Sequence, residues 1–210
     1  MTHGVVDSVR KALGRSADLP VTLHAEAYVA RVAERVDLEI DRFLSEISSL
    51  SGVGQRVTAA HVAETVYSLV TREQIHKAVV WPTDMLSALG IERSLREAGV
   101  DLVLPCADKS AMAECDLGVT EVDFALPETG TLGLYVSRDR PRAVSLLPRV
   151  HLAIAAPSAL RADLRHVLSE AKKAPNLVLI TGPSRTADIE LTITLGVHGP
   201  RNLYVWMVLE

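Results

Sequence analysis

Cysteine is nearly absent from this chain. Its 210 residues hold only Cys106 and Cys115. Two thiols so placed suit neither a disulfide framework nor a zinc site. With no Cys-x-x-Cys cluster, an iron–sulfur centre ligated by this chain alone is not expected. The expectation is a reduced, cytoplasmic protein. An excess of positive charge is also missing. The net charge is −4 and the isoelectric point is near 6.0. That leaves no electrostatic footprint for nucleic acid and no basic run for a membrane-surface helix. No apolar stretch approaches the ~18 residues needed to span a bilayer. The opening stretch MTHGVVDSVRKALGR has no apolar core of a signal peptide. Internal repeats and low-complexity segments are absent as well.

What is present suffices for one substantial domain with a small extension. The pattern divides it into an N-terminal helical extension, residues 1–50, and an α/β domain, residues 51–210. Residues 5–14 suit a short helix stopped by Gly14. Apolar residues at helical spacing from Ala27 to Ile47 predict a long amphipathic helix over about 24–50. Such a helix packs on its own domain or offers a surface for self-association. Gly52–Gln55 reads as a turn, Arg56-Val57 as a short strand, and Thr58 as the cap of a helix over 59–71. Strands are predicted at 77–81, 100–104, 150–155, 177–181 and 202–209. Helices are predicted at 83–98, with a kink at Gly90, at 158–173 and at 185–194. Strands alternating with helices imply a mostly parallel sheet with helices on both faces.

The chain is organised around residues 118–135. Val122, Phe124 and Leu126 alternate with smaller or polar residues, and Leu132, Leu134 and Val136 repeat the pattern after a turn. Pro127 stops ladder pairing between the two runs. The turn, Glu128-Thr129-Gly130-Thr131, presents a carboxylate and two hydroxyls at a sheet rim, where α/β proteins place their chemistry. A polar turn without chemistry is the competing reading. Glu128 suits a general base, a nucleophile toward an acyl group, or a binder of polar ligand groups. Thr129 and Thr131 would orient it or donate to an oxyanion.

A second constellation is Thr181-Gly182-Pro183-Ser184-Arg185-Thr186. A strand runs into Gly182 and Ser184 and then, by this reading, into a helix start that attracts anions, with Arg185 as a bidentate partner. A capped helix needing nothing more reads the same way. A third is Gly196-Val197-His198-Gly199-Pro200, a loop that leaves His198 free to reach a site or to remain solvated. His151 reads as a structural imidazole, and Trp81 and Trp206 as core. Arg138, Arg140 and Arg142 form a cationic edge that guides an anion or solubilises a loop. No helical His-x-x-x-His spacing supports a metal site.

Glu128-Thr129-Gly130-Thr131, Ser145-Leu146-Leu147-Pro148 with His151, Thr181–Ser184 with Thr186–Glu190, and Gly196–Pro200 together resemble the LUD-domain family, in its lactate-utilisation C-type branch. The resemblance covers about residues 40–209. It implies a fold like that of the ribose-phosphate isomerase, glucosamine-phosphate isomerase and CoA-transferase group. It also implies a part in bacterial oxidation of L-lactate to pyruvate, beside two other subunits that carry the iron–sulfur centres, this chain itself holding no cofactor. By analogy with CoA-transferases, Glu128 is the catalytic candidate. Thr129, Gly130, Thr131, Gly182, Ser184, Arg185, Thr186 and His198 are the candidate ligand-binding residues for a small anion. A stand-alone isomerase- or CoA-transferase-like enzyme using Glu128 is the alternative.

Overall fold

The computed structural model describes residues 3–14, 31–105, 108–171, 176–187, 193–195 and 199–210. The chain divides into two compact units, Met1–Ala30 and Arg31–Glu210. The described part of the first is a helix, α1 (His3–Ala12), followed by a turn at Leu13 and Gly14.

The second unit opens with α2 (Val36–Ser49), β1 (Val53–Thr58), α3 (Val62–Glu73), β2 (Lys77–Val80), α4 (Asp84–Ala88), α5 (Ile91–Glu97) and β3 (Asp101–Val103). It continues with α6 (Lys109–Ala113), β4 (Leu117–Glu121), the hairpin β5 (Phe124–Leu126) and β6 (Thr131–Tyr135), α7 (Ala143–Leu146) and β7 (Val150–Ala155). Then come α8 (Leu164–Ala171), β8 (Leu177–Thr181), β9 (Arg185–Ala187), β10 (Ile193–Leu195) and β11 (Asn202–Leu209).

Six strands make one sheet in the order β1-β11-β7-β4-β2-β3, every neighbouring pair parallel. A parallel sheet is covered on both faces, so its central strands are apolar throughout. All of β7 and residues 203–208 of β11 are buried accordingly. From β2 the chain moves outward to β3, then returns across β2 to β4 and continues the other way to β7 and β11. The winding therefore reverses between β2 and β4, the topological switch point of the sheet. Trp81 follows β2, and its N–H still pairs with the Val119 carbonyl of β4 at 3.0 Å.

The α/β architecture matches the sequence pattern. Several local expectations give way to tertiary structure. β8 does not join the parallel sheet. It extends the hairpin into a second sheet, β5-β6-β8, antiparallel throughout. Its apolar run looked central, yet its residues are only half-buried or exposed, Leu179 by 45%. Of the helix expected over 185–194, the described residues 185–187 and 193–194 are strand instead: β9 and β10 pair antiparallel, Thr186 opposite Thr194. Threonine and isoleucine suit strand geometry better than helix. Residues 53–58 are a strand, β1, held by β11, rather than mostly a turn. Thr58 makes no capping bond, and a single 3₁₀ turn at Ala59–His61 precedes α3. Another such turn, Pro157–Ala159, stands where helix 158–173 was expected to start, and α8 begins only at Leu164. The segment 83–98 is two helices, because Gly90 takes a left-handed φ of 66° that a Cβ would resist.

Helix α2 begins at Val36, and residues 31–35 reach it in non-helical conformation. The Glu39 carboxylate explains this. It accepts the Glu34 N–H at 2.7 Å and both oxygens take the Arg31 guanidinium, at 2.6 and 2.7 Å. The approaching chain is thereby tied beside the helix instead of extending it. The portion of the expected helix upstream of residue 31 lies outside the described residues. Helix α7 sits on β4 at Gly118, where a Cβ would come 1.9 Å from the Val144 carbonyl oxygen. Among the described residues no helix is long and apolar enough to cross a membrane.

Candidate functional site

The hairpin register sets three hydroxyls in a row. Leu126 pairs with Thr131, and Thr131 with Thr181 of β8. The Thr129 and Thr131 hydroxyl oxygens are 2.7 Å apart, and those of Thr131 and Thr181 2.8 Å. Thr131, in the middle, is buried; the outer two are exposed. A row of hydroxyls can pass hydrogen bonds along itself and still offer a donor or acceptor at each end.

The two glycines of this region serve packing. A Cβ on Gly130 would meet the Glu46 and Ile47 backbone of α2 at 3.1 Å, and one on Gly182 would meet Leu50 Cβ at 3.1 Å. Both loops are thus docked under the end of α2. Glu128 is exposed in the turn, and its charge acts on Arg42 of α2, which also holds Glu34 at 2.7 Å.

Beyond Thr181 the chain forms one wall of a cavity of about 240 Å³. Thr181, Gly182, Pro183 and Ser184 line it from one side, Ser145 and His151 from another, and Gly199 and Pro200 close it. The Ser184 N–H donates to the Pro200 carbonyl at 3.1 Å, tying two motifs that lie apart in sequence. His151 Nε2 shares a 2.8 Å hydrogen bond with the Thr120 hydroxyl. Burial pushes the imidazole pKa down to about 3. At neutral pH it is therefore an uncharged hydrogen-bonding wall and not a cation. The structure brings Thr129, Thr131, Gly182 and Ser184 into one continuous region. Glu128 is not among the cavity's lining residues. Arg185 and Thr186 belong to β9, so the expected helix N-terminus is not there. His198, Cys106 and residues 188–190 lie outside the described residues. Among the described residues no group of three or more His, Cys, Asp or Glu is placed to hold a metal.

One cluster escaped the sequence reading. At the switch point Asp123 takes the Arg140 guanidinium through two bonds, 3.0 and 2.7 Å, and accepts the Tyr135 N–H at 2.7 Å. Arg140 lies over the Trp81 ring, 4.5 Å from its centroid, and the Trp81 indole N–H donates to the Pro141 carbonyl. Of the cationic edge read from the sequence, Arg140 is thus a structural clamp, while Arg138 and Arg142 stay exposed. The signal was the lone polar Asp123 in an otherwise apolar run.

Known proteins place this geometry. A protein of the DUF162 family from Deinococcus radiodurans superposes with a TM-score of 0.61, covering 84% of this chain and all of that one, at 20% identity, which speaks for the fold. Lactate utilization protein C of Macrococcus caseolyticus is 29% identical over 152 residues, 68% of this chain and 66% of that protein. Lactate utilization protein C of Shouchella clausii is 42% identical over 92 residues, 40% of each. The matched stretches thus span less than two thirds of these relatives. The LUD domain profile matches residues 22–208, nearly the whole length, and the chain belongs to the LUD domain family.

Proposed function

We propose that this chain is a subunit in bacterial L-lactate utilisation, working in the cytoplasm beside partners that carry iron–sulfur centres and oxidise L-lactate to pyruvate. We place its own contribution at the rim, where Thr129, Thr131, Thr181 and Ser184 bind a small anion. Membership of the family and the names of the relatives support the metabolic role. The observation that supports the ligand is the hydroxyl row running into the cavity wall. A carboxylate takes its hydrogen bonds from such donors. Arg185, Thr186 and His198 complete the ligand set in this reading. The test is reconstitution with the partner subunits. Omitting this chain abolishes or deregulates L-lactate-dependent reduction of an acceptor dye; unchanged activity refutes the role.

A second reading makes Glu128 the base or acyl acceptor of a stand-alone enzyme. Its exposure at the head of the same row favours it. A Glu128→Gln chain then loses all activity on its substrate, and an active variant sinks this reading.

A further inference from the structure

Strand β8 is the outer strand of the β5-β6-β8 sheet and, among the described residues, pairs on one side only. The Val136 N–H donates to the Asn176 carbonyl at 3.0 Å, and the register carries that pairing to Leu134 with Val178 and Leu132 with Ile180. In an antiparallel ladder, residues bonded to one neighbour alternate with residues whose N–H and C=O point the other way. Leu177, Leu179 and Thr181 therefore direct their backbone groups to the open edge.

Proteins blunt such edges with charged residues, prolines or bulges. Leu177–Thr181 carries no charge and no proline. Its middle residue, Leu179, is 45% exposed. Leu146, also exposed, lines the same cavity as Leu179 and widens the apolar surface there. Prolines stand at 175 and 183, each four residues from Leu179 in the sequence. A proline brings no N–H to a ladder, so these two bound the run that can pair outward. That run is centred on Leu179. Its limits are symmetric about its middle residue, so its own antiparallel copy matches it in length and register. Two-fold pairing sets Leu179 opposite Leu179 and Leu177 opposite Thr181. No like charges meet across such a pair.

We propose that the β8 edge is a self-association surface whose occupant is a second copy of this chain. The two β8 strands pair antiparallel about a two-fold axis at Leu179 and join two three-stranded sheets into one. Leu177 of the second copy then stands beside Thr181, at the outer end of the threonine row. The interface does not depend on what that row binds.

Sedimentation velocity of the intact chain, from about 1 µM to about 1 mM, tests this across the range in which a small interface is populated. A reversible monomer–dimer equilibrium is expected. Leu179→Lys and Leu179→Glu each set like charges face to face on the axis and weaken dimerisation about tenfold or more. Mixing the two variants restores a dimer containing one of each, which a merely disturbed fold would not do. Leu104→Lys, at an exposed leucine beyond β3, leaves association unchanged. A chain that is monomeric at about 1 mM overturns the proposal. So does a dimer that both Leu179 variants leave intact, or a mixture of the two that stays monomeric.

Discussion

Thr131 and Thr181 face each other across β6 and β8 with their hydroxyl oxygens 2.8 Å apart, and the hairpin turn is fastened to the cavity wall by that contact. Because Thr131 is buried and also bonded to Thr129, removing its hydroxyl strands two partners, whereas removing that of Thr181 strands one. Thr131→Val therefore costs about 1–2 kcal/mol and Thr181→Val about half of that or less. Urea denaturation checks both, and the double variant costs less than the sum. In the anion-binding reading, Thr181→Val also weakens L-lactate binding.

The Arg31–Glu39 pair anchors the start of α2. Its side chains are 16% and 5% exposed, so losing one partner leaves a nearly buried charge. Arg31→Met is expected to cost about 3 kcal/mol. Burial alone raises the Glu39 pKa, but Arg31 and the Glu34 N–H outweigh it and hold it below the ordinary 4.5. Stability from this group is therefore full above pH 4.5 and lost as pH falls through the lowered folded value. In Arg31→Met only the Glu34 N–H and the more distant Arg42 still oppose burial, and acid unfolding starts at higher pH. Thermal melts across the acid range read the difference.

His151 gives a different acid signature. Its pKa falls from 6.5 to about 3 on folding. Between those values the unfolded chain takes up a proton that the folded chain does not, so stability drops as pH falls, by up to ~1.4 kcal/mol per unit. His151→Gln retains a partner for Thr120 and removes this part of the slope. Denaturation midpoints measured from neutral pH downward show a flatter profile. An unchanged slope would mean that the imidazole is not the buried neutral group described.

Gly118 is the least replaceable residue of β4. A Cβ there meets the backbone carbonyl of Val144 and cannot be relieved by a rotamer change. Gly118→Ala is expected to lift α7 from the sheet and cost more than about 3 kcal/mol, as overpacking against backbone does. A shared loss of the Tm and of soluble yield would register it.

Local pattern made much of this legible. The alternation through Val122, Phe124 and Leu126, then Leu132 and Leu134, located the hairpin, and all five are buried. Trp81, Trp206 and His151 are interior as read. Pairing was not legible, because periodicity says which face of a strand is apolar and not which strand lies beside it. Hence the sequence places Thr181 at the end of a strand but does not show it as the neighbour of Thr131. Asp123 and Arg140 meet only because the chain leaving β6 folds back over Trp81. The residues 185–187 and 193–195 carried a helical signal too weak to compete with a hairpin. Gly90 was read as a kink, and it divides two helices.

The order of the parallel sheet has a consequence for biosynthesis. Strand β1 sits at the sheet's edge and joins it through β11, Val53 beside Tyr204. On the ribosome, β1 emerges long before its partner. At ~5–20 residues per second the gap lasts on the order of ten seconds. Throughout it β1 offers unpaired backbone groups to solvent, and one side of β7 does so from its own synthesis until β11 arrives. The nascent chain is then most exposed to chaperones and to mispairing with its neighbours on the same message. Slowing translation between the codons for β1 and β11 would lengthen that exposure, and speeding it would raise soluble yield without altering one residue.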